Sequence, residues 1–196
     1  EEPERTGRIY ARAKEYGKRA LHQNKKIAPL IDAPYREFSA IAEHLVRDDI
    51  ESVFWAASSW GAWIFSNTES MAALADLPRV ILLMQWVVDQ DESLYNASPH
   101  IFLGVFHSAL PPMLGGKPEQ ALFHFERALE LTQEHSAVVY VQMARFYAVQ
   151  QFDRELYQSL LHKALGIPSD AHPMLTLQNE AAHLQAQRLL LMIDDI

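Results

Sequence analysis

The chain has 196 residues, of which 49% are apolar, a formal net charge of −8 and no cysteine. The length suits one domain with a sizeable hydrophobic core. The acidic balance argues against a nucleic-acid partner, because phosphate binding needs a basic face. The absence of cysteine excludes disulfides, thiolate nucleophiles and cysteine-ligated zinc.

The beginning of the chain, Glu1-Glu2-Pro3, has neither the basic nor the apolar segment of a signal peptide. We therefore expect a mature or trimmed form. The longest nearly unbroken apolar run, residues 53–65, is shorter than the roughly 20 residues that a membrane-spanning helix needs. It predicts a buried helix.

Apolar residues recur with helical spacing along the whole chain, and almost no strand-like alternation occurs. The sequence therefore predicts an all-α fold. In chain order, the predicted helices cover residues 3–23, 35–46, 50–66, 76–90, 98–110, 118–132, 136–149, 153–165 and 174–193.

A pattern of a small residue followed by an apolar stripe occurs twice. Gly61 and Gly104 are the small residues, and each is followed on the next predicted helix by three apolar residues in 1-5-8 spacing. The stripes are Val80, Met84 and Val87; Ala121, Phe125 and Ala128; and, in a weaker third copy, Tyr157, Leu161 and Ala164. This pattern is typical of tetratricopeptide (TPR) hairpins, in which two helices cross closely at the small residue.

The repeats predict a TPR-like α-solenoid in one domain, residues 1–196. Its hairpins would cover about 50–91, 98–132 and 136–166, and a helix at 174–193 would cap the open end. The crossing residue of the third hairpin is either Ala144 or Arg145.

In TPR arrays, positions 2, 5, 9 and 12 of each repeat line the concave face. With Gly61, Gly104 and Arg145 at position 8, this face is apolar with small hydroxyl groups, which suits an apolar or amphipathic ligand or simply tight packing. The predicted cavity-lining residues are Trp55, Ser58, Ala62, Phe65, Ser98, Ile101, Val105, Ser108, Gln142 and Phe146, with Val149 at the end of the set.

Three tryptophans, Trp55, Trp60 and Trp63, lie within nine residues. Their spacing directs them to different sides of one helix. We expect that helix to be enclosed on most sides, with Trp55 or Phe65 bordering an internal cavity. The alternative is ordinary core packing, in which aromatic side chains dominate.

Residues with catalytic or metal-binding chemistry are scattered. His100 and His107 lie two helical turns, about 10 Å, apart and are too distant to share one ion. The acidic pairs Asp89/Asp91 and Asp194/Asp195 are interpreted as solvated helix ends, and Asp153 as a helix N-cap. No metalloprotease, phosphate-loop or serine-hydrolase signature occurs. The sequence predicts no metal site, no cofactor and no enzymatic activity.

Five stretches carry a more specific resemblance. They are VFWAASSWGAWI at 53–64, LADLPRVILLM at 74–84, GGKPEQALFHFERALEL at 115–131, ARFYAVQQFDRELYQSLLHKAL at 144–165 and LQNEAAHLQAQRLLLMIDDI at 177–196. In this order they resemble the T components of tripartite ATP-independent periplasmic (TRAP) transporters, the TatT family. The resemblance covers nearly the whole chain.

The resemblance implies a periplasmic helical protein, lipid-anchored in its full-length form, with a cavity or pore. It implies a partner, the substrate-binding P component that feeds a membrane permease, and a homo-oligomer, a trimer in the family. We expect the loop at 111–117 to project and to serve docking or self-association.

The alternative is a general TPR scaffold or co-chaperone that grips a peptide. Peptide clamps of that kind place Lys, Arg and Asn on the concave face, and the predicted set lacks them. This absence favours the transport accessory.

Overall fold

The computed structural model describes residues 2–110, 112 and 115–193, and every regular element among them is helical. The all-α prediction is therefore confirmed, whereas the solenoid arrangement, the hairpin boundaries and the single-domain organisation stay predictions. The chain divides into two compact units, residues 1–92 and 93–196, and each is described by itself below.

The first unit contains three long helices and three short ones. In chain order they are α1 (Glu2–Leu21), α2 (Ala28–Ile31), α3 (Tyr35–Phe38), α4 (Ile50–Phe65), α5 (Met71–Leu74) and α6 (Leu77–Gln90). The continuous helix predicted over 35–46 is wrong, because α3 ends at Phe38 and a 3₁₀ turn, Ser39–Glu43, follows. The Ser39 hydroxyl donates to the Arg36 carbonyl at 2.9 Å, a local bond that competes with α-helical pairing.

Helix α4 packs against both α1 and α6. The predicted stripe on α6, Val80, Met84 and Val87, is fully buried, and so is Gly61 on α4. Gly17 makes a tight contact in this unit that the repeat pattern did not indicate. A Cβ on Gly17 of α1 would lie 2.8 Å from the Ala56 Cα, so α1 and α4 approach closely only because residue 17 has no side chain.

A partly buried charge cluster, Lys14, Asp76 and Arg79, joins α1 to the start of α6. The Asp76 Oδ2 atom accepts hydrogen bonds from Trp60 Nε1 at 2.9 Å and from Lys14 Nζ at 3.5 Å, and Asp76 Oδ1 lies 3.4 Å from Arg79 Nε. Arg79 also donates to the Ala33 carbonyl at 2.6 Å. Burial lowers the pKa of Lys14, an effect that the Asp76 carboxylate opposes.

By length and composition alone, the segment Met71–Gln90 could cross a membrane, because it has 20 residues and contains an 18-residue window with a mean hydropathy of 1.5. This segment is distinct from the apolar run at 53–65. In the fold it is divided between α5 and α6, and α6 buries one face among its neighbours, including Leu83 and Trp86. The core helix of a globular protein has the same composition.

Five helices are found among the described residues of the second unit, which begins with an unusual turn. The helices are α7 (Leu94–Ser108), α8 (Pro118–Leu131), α9 (Ala137–Gln142, continued by a π-helical segment, Met143–Ala148), α10 (Arg154–Gly166) and α11 (Thr176–Leu191). Tyr95, Asn96 and Ala97 have left-handed backbone angles, so the right-handed part of α7 begins at Ser98, as predicted. Residues 111, 113, 114 and 194–196 lie outside the described residues, and with them much of the predicted docking loop and the acidic pair Asp194/Asp195.

The predicted stripes form the core of this unit. Ala121, Phe125 and Ala128 of α8 are fully buried, as are Tyr157, Leu161 and Ala164 of α10. A Cβ on Gly104 would lie 2.9 Å from the Phe125 ring, which confirms Gly104 as a close helix crossing. The Asp153 side chain accepts from the Leu156 N–H at 2.8 Å and is the N-cap that the sequence predicts.

Burial favours Ala144 over Arg145 as the crossing residue of the predicted third hairpin. Ala144 is fully buried whereas Arg145 is exposed. Both residues lie in the π-helical segment.

Helix α11 is fixed to the beginning of α9 by Asn179. The Asn179 Oδ1 atom accepts from the Ala137 N–H, and its Nδ2 donates to the His135 carbonyl, both at 2.9 Å. The buried face of α11 consists of Asn179, Ala182 and Ala186.

Candidate functional site

The four predicted lining residues of the first unit share one face of α4. Ser58, Ala62 and Phe65 are half-buried, and the Trp55 side chain is 59% exposed. At 100° per residue this face points away from the side that carries Val53, Ala57 and Ile64 into the core. The predicted set on α4 is therefore a surface that another molecule can reach.

The three tryptophans of α4 have three different environments. Trp60 is buried and donates to Asp76. Trp63 is half-buried, with Lys14 Nζ 3.4 Å from its ring centroid. The expectation that α4 is enclosed on most sides is wrong at Trp55, because its side chain lies at the surface, edge-on to Phe54. Core packing therefore accounts for Trp60, and a cation–π contact for Trp63.

The predicted lining residues on α7 also share one face. Ser98 and Ile101 are half-buried, whereas Val105 and Ser108 are buried. The Ser98 hydroxyl donates to the Tyr95 carbonyl at 2.7 Å, and the Ser108 hydroxyl donates to the Gly104 carbonyl at 2.8 Å. Because both hydroxyl protons are used within the helix, these serines offer a ligand acceptor oxygens rather than donors.

Gln142 and Phe146, the predicted lining residues of the third hairpin, adjoin a cation. Both side chains are half-buried, and Arg145 contacts each of them, with its Nη1 3.5 Å from Gln142 Oε1 and its guanidinium carbon 5.1 Å from the Phe146 ring centroid. With Ala144 at the crossing, Arg145 moves into position 9. This part of the predicted surface is therefore charged rather than apolar.

Two of the pockets that the described residues form lie outside the predicted set. One, of about 230 Å³, is in the second unit and is bordered by the left-handed residues Asn96, Ala97 and Gln133. The other, of about 510 Å³, is lined by Ser66 to Ser70, directly after α4. The remaining residues that line the first pocket are Ser93, Leu131, Thr132, His172 and Leu175.

The first of these pockets adjoins a strained backbone. Each non-glycine residue in a left-handed helical conformation costs roughly 1–2 kcal/mol, and three such residues in succession are rare. The sequence offers a partial signal, since asparagine tolerates this conformation and Pro99 restricts the residue before it. Neither feature predicts three left-handed residues in succession.

A buried histidine cluster joins α7 to α8. His100 and His124 bring their Nδ1 atoms within 2.9 Å, so one nitrogen donates a proton and the other accepts it. The His107 ring stacks on His124, with centroids 5.6 Å apart. The spacing of His100 and His107 gave no sign of His124, which comes from another helix. Among the described residues, no group of three or more His, Cys, Asp or Glu side chains is arranged to hold a metal ion.

Burial keeps His107 and His124 uncharged near neutral pH. It lowers the pKa of His124 from 6.5 to about 3, with a further contribution from repulsion by His100 and His107. It lowers the pKa of His107 from 6.5 to about 4, with a smaller contribution from Lys117. The bond between His100 and His124 is therefore a buried hydrogen-bonded connection between two helices.

Acid is expected to destabilise the second unit through this cluster. Both histidines have lower pKa values in the folded chain than the 6.5 of the unfolded chain, so the unfolded chain binds more protons below about pH 6.5. The free energy of unfolding is highest above that pH. It falls by up to about 1.4 kcal/mol per pH unit and per histidine as the pH drops towards the folded values. Urea denaturation between pH 7.5 and 4.5 measures the slope.

The control is a histidine at the surface. His124→Gln is expected to flatten the slope, whereas His162→Gln, at an exposed position of α10, leaves it unchanged. Equal slopes for the wild type and His124→Gln would show that the cluster does not determine acid sensitivity.

Comparison with known proteins identifies one family. The family model described as "TRAP transporter T-component" (TAtT) matches residues 1–196, the whole chain. It describes a transporter accessory component and is not a known enzyme family. None of the curated proteins compared matches the chain.

Proposed function

We propose that this chain, which belongs to the TRAP transporter T-component family, docks to the substrate-binding P component of its transporter and holds a small apolar or amphipathic ligand. The proposal locates the protein in the periplasm, with a lipid anchor in the full-length form. The observation that carries it is the whole-chain family match.

The outward face of α4 supports the docking part of the proposal. Trp55 is a large aromatic side chain, 59% exposed, on a helix whose opposite side is anchored in the core. Exposed tryptophans on rigid elements are frequent hot spots of protein interfaces. Ser58 and Ala62 beside it leave room for a group that inserts next to the ring.

The same face supports the ligand part. Ala62 and Phe65 are half-buried and carry no charge, so they offer a partly desolvated apolar surface. A peptide clamp would need Lys, Arg or Asn here, and the predicted positions of α4 contain none. The alternative, a general scaffold or co-chaperone, therefore finds its best support at Arg145 on the other unit.

Titration calorimetry with the cognate P component tests the proposal. We expect binding at micromolar concentrations, and we expect Trp55→Ala to weaken it about 30-fold, as the loss of a hot spot of about 2 kcal/mol implies. Phe152→Ala is the matched control, because Phe152 is 95% exposed but lies outside the predicted faces. A variant with residues 111–116 shortened tests the loop separately.

The titration is repeated with the P component free and loaded with its ligand. If this protein receives the ligand, the free and the loaded P component are expected to bind it with different affinities, because only the loaded form can pass the ligand on. Absence of binding at tens of micromolar, with both proteins folded, would count against the transporter proposal and favour the general scaffold.

A further inference from the structure

The beginning of the chain concentrates positive charge in an otherwise acidic protein. Residues 1–26 contain eight of the 17 Lys and Arg residues but only four of the 25 Asp and Glu residues, so their net charge is +4. Residues 27–196 contain nine basic and 21 acidic residues, a net charge of −12. Most of the basic residues of this first segment lie on α1.

The lysines and the arginines of α1 lie on different sides of the helix. Lys14 and Lys18 turn towards the rest of the unit and pair with Asp76 and Asp32. The arginines are exposed and lie within about 60° of one another around the helix axis, on the side opposite the buried Leu21. These arginines are Arg5, Arg8, Arg12 and Arg19. A guanidinium group matches a phosphate in bidentate geometry, which an ammonium group cannot do.

Two exposed apolar side chains border the arginines. Ile9 is 56% exposed and Tyr16 is 52% exposed. Arg12 donates to the Tyr16 hydroxyl at 3.1 Å, and the guanidinium carbons of Arg12 and Arg19 lie 5.5 and 5.4 Å from the centre of the Tyr16 ring. The ring therefore holds two cations at the surface. We call the four arginines, Ile9 and Tyr16 the basic face of α1, and it extends about 21 Å along the helix axis.

We propose that the basic face of α1 rests on a membrane surface that contains anionic phospholipids. The arginines bind lipid phosphates, and Ile9 and Tyr16 enter the headgroup region, where apolar and amphipathic side chains are stabilised. Because the face runs along the outside of a single helix, the four arginines can reach a flat surface together. This contact goes beyond a lipid anchor, since side chains of the chain itself make it, and it does not depend on docking to the P component.

The composition of the basic face decides between a membrane and its competitors. An acidic protein or a nucleic acid would neutralise the arginines, but neither needs an exposed isoleucine beside them. The net charge of −12 on residues 27–196 also repels a polyanion that approaches from several sides, whereas a flat surface contacts α1 alone. The chain belongs to a family of transporter components, and a transporter spans a lipid bilayer.

Co-sedimentation with vesicles in low salt measures the contact. The wild type is expected to bind vesicles of mixed phosphatidylcholine and phosphatidylglycerol, not vesicles of phosphatidylcholine alone, and to dissociate in high salt because salt screens the charges. The double variant Arg5→Gln/Arg19→Gln is expected to bind about 25-fold more weakly, because each basic residue near an anionic surface contributes about fivefold. The control Arg36→Gln/Arg47→Gln changes the net charge equally at exposed positions outside α1 and is expected to bind like the wild type.

A single cysteine reports which face meets the lipid. The chain contains no cysteine, so Ile9→Cys gives a unique site for an environment-sensitive fluorophore. Its emission is expected to shift to the blue on anionic vesicles. The same label at Met71→Cys is the control and is expected to show no shift, because Met71 is 79% exposed on α5, which packs against α4. Circular dichroism melting shows that each variant is folded.

Several outcomes would overturn the proposal. They are a wild type that does not bind anionic vesicles at millimolar lipid, equal binding to neutral vesicles, an Arg5→Gln/Arg19→Gln variant that binds as tightly as the wild type, or a bound protein whose label at residue 9 does not shift. Inorganic phosphate must release the protein no better than sodium chloride of equal ionic strength, since release would reduce the face to a site for free phosphate. Binding to polyglutamate or duplex DNA but not to vesicles would assign the face to an acidic macromolecule instead.

Discussion

Replacing Asp76 by alanine is expected to lower the free energy of unfolding by about 2–4 kcal/mol, because it leaves two partly buried cations without their counter-charge. Asp76 contacts Lys14 on α1, Trp60 on α4 and Arg79 on α6, so one substitution affects three helices. Urea denaturation at neutral pH measures the loss.

The matched control is Asp32→Ala. Asp32 also pairs with a lysine, Lys18, but its side chain is 61% exposed, whereas that of Asp76 is 23% exposed. Water screens the exposed pair, so its loss is expected to cost less than about 1 kcal/mol. Asp76→Asn keeps an acceptor for Trp60 and removes only the charge. If Asp76→Ala and Asp32→Ala lowered the free energy of unfolding equally, burial of the Asp76 cluster would not add to its stabilising effect.

Asp76 shows what a helical pattern cannot predict. Periodicity identifies the side of a helix that is apolar, and it correctly placed Val80 and Met84 in the core. It carries no information about which carboxylate meets a lysine 62 residues away, because that depends on how α1 and α6 are positioned. Gly17 was missed for the same reason, since nothing in its own neighbourhood indicates that Ala56 lies against it.

For the candidate site, the sequence predicted which positions share a helix face, but it did not predict the contacts that their side chains make. The predicted residues on α4 and α7 do share faces, because helical geometry fixes which positions align. Their chemistry differs from the expectation. The serine hydroxyls donate to backbone carbonyls within α7, and Arg145 contacts Gln142 and Phe146 and so brings a charge to their surface. Neither effect is encoded in the spacing of apolar residues.

The histidines also show that spacing within one helix can be predicted from the sequence, whereas a contact between two helices cannot. The sequence excluded a shared ion for His100 and His107 on distance alone. The partner of His100 is His124, on the next helix, and the burial that keeps His107 and His124 uncharged comes from packing α7 against α8. A pattern within one helix could not indicate that pair. The whole-chain family match, by contrast, confirms the resemblance that the collinear stretches indicated.

Adding a single methyl group at Gly104 is expected to destabilise the second unit by about 1–3 kcal/mol, although alanine is the better helix former. The new Cβ would lie 2.9 Å from three atoms of the Phe125 ring, which is fully buried and cannot move aside. Gly104→Leu is expected to cost more, because α7 and α8 must separate further. Thermal and urea denaturation of both variants measure the effect.

Two further variants show whether the effect comes from the contact. Gly7→Ala makes the same change on α1, where a Cβ would have nothing within 4 Å, and it is expected to stabilise by up to about 1 kcal/mol through helix propensity. Phe125→Leu makes room opposite residue 104, so the double variant with Gly104→Ala should lose less stability than the sum of the two single losses. Additive losses, or a Gly104→Ala variant as stable as the wild type, would contradict a close crossing of α7 and α8.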